Sequence, residues 1–125
     1  MIVGQSARVF KSAWFAKAAR KAGVGDSELC EAMAQTMLGH ADDLGGGVYK
    51  KRLDKNRQRS IILAKGSRYW VFEFLYAKRD MANISFADLE NFKKLATKYG
   101  TLTDENIEQL TLSRKFVEIC NGRKT

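Results

Sequence analysis

The sequence has no proline, one histidine (His40) and two cysteines (Cys30 and Cys120). A lone histidine cannot run a two-histidine acid–base mechanism. Following Gly39 at a helix end, His40 is assigned a structural role, complementing the helix dipole. No Cys-x-x-Cys pair is present, so no zinc site is expected. Neither Gly-x-Gly-x-x-Gly nor a Gly-x-x-x-x-Gly-Lys phosphate loop occurs, so no nucleotide cofactor is expected either. The longest apolar stretch, Tyr69–Ala77, is broken by Glu73 and falls far short of the roughly 20 residues of a membrane span. The first ten residues lack the apolar core and cleavage site of a secretory signal. Two cysteines are too few for a disulfide scaffold. Cys30 lies at an apolar helix position and Cys120 ends an apolar strand. Both are expected as buried thiols, which places the chain in a reducing cytoplasm.

What the chain has is concentrated positive charge. Residues 50–68 hold Lys50, Lys51, Arg52, Lys55, Arg57, Arg59, Lys65 and Arg68 against the single acid Asp54, a net +7 of the chain's +8. The stretch reads as strands at 48–53 and 60–64 joined by a polar turn at 54–58. Strand side chains alternate between faces, so part of this charge must share one groove. Such a groove is the footprint of a phosphate backbone, or else a solubilising face or a dock for an acidic partner.

With 125 residues, 45% of them hydrophobic, the chain is expected to form one domain, residues 1–125. Residues 8–11 read as a first strand. Ser12 caps a helix to Ala22 whose inner side carries Trp14, Phe15, Ala18 and Ala22. A second helix starts at Asp26 or Ser27 and runs to Gly39, with Leu29, Cys30, Met33, Met37 and Leu38 as its stripe. Gly45, Gly46 and Gly47 form a flexible lead-in to three strands. The last, at 69–76, follows a tight turn at 65–68. Its alternation puts Trp70, Phe72 and Phe74 on one face. Ser85 and Asp88 box the start of a third helix with Phe86, Leu89, Phe92 and Leu95 inward. Thr103 caps a fourth, and 116–119 form a final strand. The order β-α-α-β-β-β-α-α-β predicts an α+β domain: an antiparallel-rich sheet of three central strands plus the N-terminal strand. An N-terminal helical hairpin and C-terminal helices pack on it. Residues 100–125 read as a C-terminal extension of unassigned role.

Tyr76 and Lys78, two residues apart at the end of the aromatic strand, are expected on one face. With Arg52, Arg57 and Arg59 they would combine a phenol, an amine and guanidiniums, without a metal-binding carboxylate cluster. That inventory suits RNA cleavage through the substrate's own 2′-hydroxyl. The protein then supplies a base, donors for the phosphorane charge and an acid for the leaving oxygen. Tyr76 and Lys78 would move protons if cationic neighbours lower their pKa values. A plain binding module, with Tyr76 a strand-end aromatic and Lys78 a surface charge, is the other reading of the same residues.

The run Leu44-Gly45-Gly46-Gly47-Val48-Tyr49-Lys50-Lys51-Arg52, then Arg59, Tyr76-Ala77-Lys78 and Asn83-Ile84, resembles the RelE/HigB-like toxins of bacterial type II toxin–antitoxin systems. Arg-Val-Phe-Lys at residues 8–11 and Trp14-Phe15 carry the likeness as well, which runs from about Arg8 to Ala96. The resemblance implies an mRNA endonuclease that halts translation, often on the ribosome. It implies an adjacently encoded antitoxin and binding to operator DNA only through the antitoxin complex. It places catalysis on Arg59, Tyr76 and Lys78, and basic strand contacts to RNA on Lys50, Lys51 and Arg52; Lys55, Arg57, Arg68 and Arg79 are further RNA contacts expected from their charge. Asn56-Arg57-Gln58 replaces the family's usual residues before the arginine, which leaves Arg57 and Arg59 as alternatives. A ParE-like gyrase poison, non-catalytic on the same architecture, and a non-catalytic RNA-binding module remain the rival readings.

Overall fold

The computed structural model describes residues 7–65, 68–81 and 83–120. The element order is β1 Arg8–Ser12, α1 Ala13–Ala22, α2 Asp26–Met37, β2 Asp42–Gly45, β3 Val48–Leu53, β4 Gln58–Lys65, β5 Tyr69–Ala77, α3 Phe86–Tyr99, α4 Asp104–Leu112 and β6 Phe116–Ile119. The strands form one sheet in the order β2-β3-β4-β5-β1-β6. β1 runs parallel to β5 and every other pair is antiparallel. The α+β class and the helix order match the sequence expectation. Of the predicted turn at 65–68, Gly66 and Ser67 lie outside the described residues.

The helices start where capping chemistry dictates. The Ser12, Ser85 and Thr103 hydroxyls each accept a backbone N–H from the first turn of α1, α3 and α4, which satisfies donors no helix can pair internally. One sheet face is covered by α1 and α2, with Val9, Phe15, Leu29, Met33, Leu53, Ile62 and Phe72 buried between them. The other is covered by α3 and α4: Val48, Ile61, Leu63 and Ala96 pack near β2–β4, and Phe10, Val71, Ile107 and Phe116 near β6. Covered on both sides, β4 is buried from Arg59 to Ala64, as its apolar sequence demands. Residues 104–119 are integral to this arrangement, since β6 pairs with β1 and Ile107 is fully buried.

The structure corrects five sequence expectations. A strand, β2, precedes the glycines, and its Asp-Asp start hid it from a hydrophobic pattern. The glycines are a hairpin turn instead of a flexible lead-in. Gly46 and Gly47 have φ +63° and +85°, as a two-residue hairpin connection needs, and a Cβ on Gly47 would sit 2.3 Å from the Ala64 carbonyl oxygen. Trp14, Met37, Leu38 and Phe86, all expected inward, are exposed. The β4–β5 register shifts at Ile61/Ile62, so Glu73 is an extra residue, a β-bulge. Phe72 therefore packs under α1 and α2 while Phe74 packs under α3. Finally, Cys30 and Cys120 are joined in a disulfide, with Cα atoms 5.4 Å apart. The argument from free thiols to a reducing compartment falls away with it.

The disulfide ties α2 to the residue after the edge strand β6 across 90 positions of chain. Closing so long a loop restricts the unfolded chain strongly. Cys30→Ser, or full reduction, is expected to lower unfolding stability by about 2–5 kcal/mol, measured by urea denaturation with and without reductant. Equal midpoints would contradict the assignment.

Candidate active site

The bulge at Glu73 decides which side chains meet. Without it, Tyr76 would share a face with Phe72. With it, Tyr76 lies directly across from Arg59, which lies directly across from Arg52. Residues opposite one another in an antiparallel ladder share a face. Arg52, Arg59 and Tyr76 therefore form a row across β3, β4 and β5, on the side of α3. Lys50 belongs to the same face, two residues from Arg52. Its Nζ donates to Asn83 Oδ1 at 3.0 Å and lies 3.7 Å from the Asp42 carboxylate.

Arg59 and Tyr76 are each 6% exposed. The Arg59 guanidinium donates through Nη1 to the carbonyls of Asn56 at 2.9 Å and Gln58 at 3.5 Å. Among the described residues it has no carboxylate partner, and its Nε and Nη2 find no acceptor. The Tyr76 hydroxyl is buried with no hydrogen-bond partner among the described residues. Burying a hydroxyl unsatisfied is expensive, the Arg59 guanidinium has carbonyls but no carboxylate to balance its charge, and the like charges of Arg52 and Arg59 face each other on the ladder. All three features are relieved by one thing, an anion with acceptor oxygens at this spot.

Burial pushes the Tyr76 hydroxyl above the ordinary phenol range; Arg59 opposes the shift and Asp42 adds to it. The condition set for Tyr76, a pKa lowered by cationic neighbours, is not met, because burial outweighs Arg59. Tyr76 is a protonated donor at neutral pH. Asp42, on the unforeseen strand β2, was missed as a neighbour of the site.

The remaining predicted residues separate. Lys51 points to the opposite face, where its Nζ donates to the His40 carbonyl at 2.7 Å. Burial, with Arg52 beside it, holds its ammonium below the usual lysine range. Lys78 lies one residue past the end of the strand that carries Tyr76. β5 ends at Ala77, and the Lys78 N–H donates to the Arg57 carbonyl at 2.9 Å. Lys78 and Arg79 face Lys55 and Arg57 across an open cleft of about 620 Å³ floored by Asn56, Gln58 and Ala77. Its β3–β4 wall is a strained turn in which Asp54, Lys55 and Asn56 all have φ between +52° and +76°, a state costing about 1–3 kcal/mol per residue. The Asp54 N–H donates to the Glu28 carboxylate of α2, and Arg57 pairs with Asp54 at 2.9 Å. Arg68 lies at the other end of the sheet, 2.9 Å from Asp104, whose carboxylate also accepts from the Tyr69 hydroxyl.

The basic sheet thus carries a buried arginine–tyrosine pair without a carboxylate partner among the described residues, beside a cationic cleft. The family model for the RelE toxin of the RelE/RelB toxin–antitoxin system matches residues 7–119, which takes in α4 and β6. The chain belongs to that family: it is the toxin of a toxin–antitoxin system, and an antitoxin is its partner. None of the curated proteins compared with it matches.

The unsatisfied hydroxyl makes a prediction about stability. Tyr76→Phe keeps the ring and removes a group that is buried without a partner. The variant is expected to be as stable as the parent or more so, by about 1 kcal/mol, in urea denaturation. A loss exceeding that amount would mean the hydroxyl is already satisfied.

Proposed function

We propose that the chain is an endoribonuclease that cuts mRNA through the substrate's 2′-hydroxyl and so arrests translation. The observation that carries this reading is the buried Arg59–Tyr76 pair, a cation with no carboxylate partner and a neutral donor with no acceptor among the described residues. In the reaction, the scissile phosphate sits against the Arg59 and Arg52 guanidiniums. These stabilise the charge that grows as the 2′-oxygen attacks. Tyr76, protonated at working pH, donates to a phosphate oxygen or to the leaving 5′-oxygen. Lys78, on the cleft rim, takes the 2′-hydroxyl proton in this scheme. Lys50, Lys55, Arg57 and Arg79 hold flanking phosphates, and the ribosome presents the mRNA. No metal ion is required by this set of groups.

The antitoxin neutralises the domain by covering the cationic cleft with acidic residues, and operator DNA is reached only through that complex. Action on translation places the protein in the cytoplasm. Between the two candidate arginines, the geometry supports Arg59: Arg57 is exposed and already paired to Asp54, whereas Arg59 is buried with free donors facing Tyr76.

Arg59→Ala is expected to abolish growth inhibition and to raise the cleavage barrier by about 2.7–4 kcal/mol, the usual loss for one transition-state donor. Arg57→Ala, which removes one flanking phosphate contact, should weaken RNA binding and remain toxic. The products should carry 2′,3′-cyclic or 3′-phosphate ends. Primer extension on cellular mRNA, run beside a gyrase supercoiling assay, reads this directly. Intact mRNA with lost supercoiling would replace the nuclease with a gyrase poison.

A further inference from the structure

We propose that Trp14 is a stacking platform for a nucleobase of single-stranded RNA next to the scissile bond, an inference that rests on the endoribonuclease reading above. Trp14 occupies the first turn of α1, yet 52% of it is exposed. Its indole is stacked on Phe74, with centroids 5.0 Å apart and planes inclined by 18°. One ring face is thus fixed against protein, and the exposed half is the area of the other. Phe74 in turn lies 6.0 Å from the Tyr76 ring, so the indole is within 11 Å of the phenol. At about 3.4 Å per stacked nucleotide, that is a reach of roughly three nucleotides.

The bulge and the β1 register build this place. β1 accompanies β5 only as far as Phe72, where the chain turns into α1. Beyond Phe72, β5 has β4 on one side and no strand on the other. The gap is a cleft of about 440 Å³ in which Trp14, Lys21, Phe74, Tyr76, Asp80 and Met81 face one another. It meets the cationic cleft at Gln58 and Ala77, which line both. Lys21, Lys78 and Arg79 surround the junction, all exposed, against the single carboxylate of Asp80, 3.9 Å from Arg79. An aromatic face between cations, joined to a phosphate site, matches the pattern by which proteins hold single strands: charge along the backbone, rings under the bases. The excess of cations favours RNA over an apolar protein segment as the occupant.

The test titrates the full chain with a short single-stranded RNA made uncleavable by 2′-O-methyl groups, at low salt, following affinity and indole fluorescence. Trp14 and Trp70 are the two tryptophans, and Trp70 packs against Tyr49 in the sheet's other face. The parent should show quenching that Trp14→Phe lacks. Trp14→Leu covers Phe74 without a π face and should lose about 5- to 150-fold in affinity, the worth of one base stack. Trp14→Phe should recover most of it, with the salt slope unchanged in both. Unchanged affinity of Trp14→Leu with cleavage intact overturns the platform and leaves the nuclease standing. Trp14→Leu losing antitoxin affinity instead of RNA affinity overturns it in favour of a protein dock. Failure of the parent to bind the RNA overturns the platform, and cellular mRNA left intact by the parent overturns the nuclease and the platform with it. Should Trp14→Leu not fold, a parent quench absent from Trp14→Phe supports the platform, and no parent quench overturns it.

Discussion

One inserted residue, Glu73, sets the geometry of this domain. A strand's side chains alternate without exception until a bulge breaks the count. The break here carries Phe74 and Tyr76 from the α1–α2 side of the sheet to the α3 side, where Arg59 stands. The bulge is held from three directions. Its carboxylate accepts from the Tyr99 hydroxyl at 2.8 Å, at the end of α3. Its carbonyl lies 3.4 Å from the Ser12 hydroxyl, the same oxygen that caps α1. Its flanking residues pack in two different cores. Burial pushes the Glu73 carboxyl up, and pushes the Tyr99 phenol up as well. The pair is thus a short internal link between helix and bulge, with Tyr99 as donor.

With that register fixed, electrostatics sorts the basic residues into those already satisfied and those left open. Arg57 has Asp54, Lys51 has the His40 carbonyl, and Lys50 has Asn83 and Asp42. Arg59 is different because it is buried and paired only with turn carbonyls. Those carbonyls come from a turn with three consecutive left-handed residues, braced by Glu28. Strain in the turn and the position of the guanidinium are therefore one construction, and the unmet donors are part of it.

Much of this was legible in the sequence. Capping serines and threonines, helical stripes and the basic pair of strands gave nine of the ten elements. The order of glycines, arginine, tyrosine and lysine pointed to the family. The misses share a cause: each depends on a contact between distant segments. A bulge leaves no mark in a run as uniformly apolar as Tyr69–Ala77, so the shared face of Arg59 and Tyr76 could not be derived by counting. The Cys30–Cys120 bond needs β6 at the sheet edge beneath α2, a matter of topology. Trp14 satisfied the helical stripe and still faces outward, because β1 leaves β5 before reaching the level of α1's first turn. Asp-Asp at the start of β2 concealed a strand that exists because β3 offers it an edge.

The two ends of the sheet hold comparable side chains and show why net charge alone could not locate the site. At the β4–β5 hairpin end, Arg68 and the Tyr69 hydroxyl converge on Asp104, Arg8 makes a two-point pair with Glu118, and the guanidiniums lie over aromatic rings. Asp104 and Glu118 there supply internal acceptors to Arg68, Tyr69 and Arg8, and these contacts join β1, β5, β6 and α4 at one corner. At the other end, a tyrosine and an arginine are again neighbours, but among the described residues no carboxylate joins them and the arginine has only turn carbonyls. An arginine–tyrosine pair with its carboxylate is architecture. The same pair without one leaves a buried hydroxyl unsatisfied, and an interaction left unspent in the resting fold is the kind that a ligand can draw on.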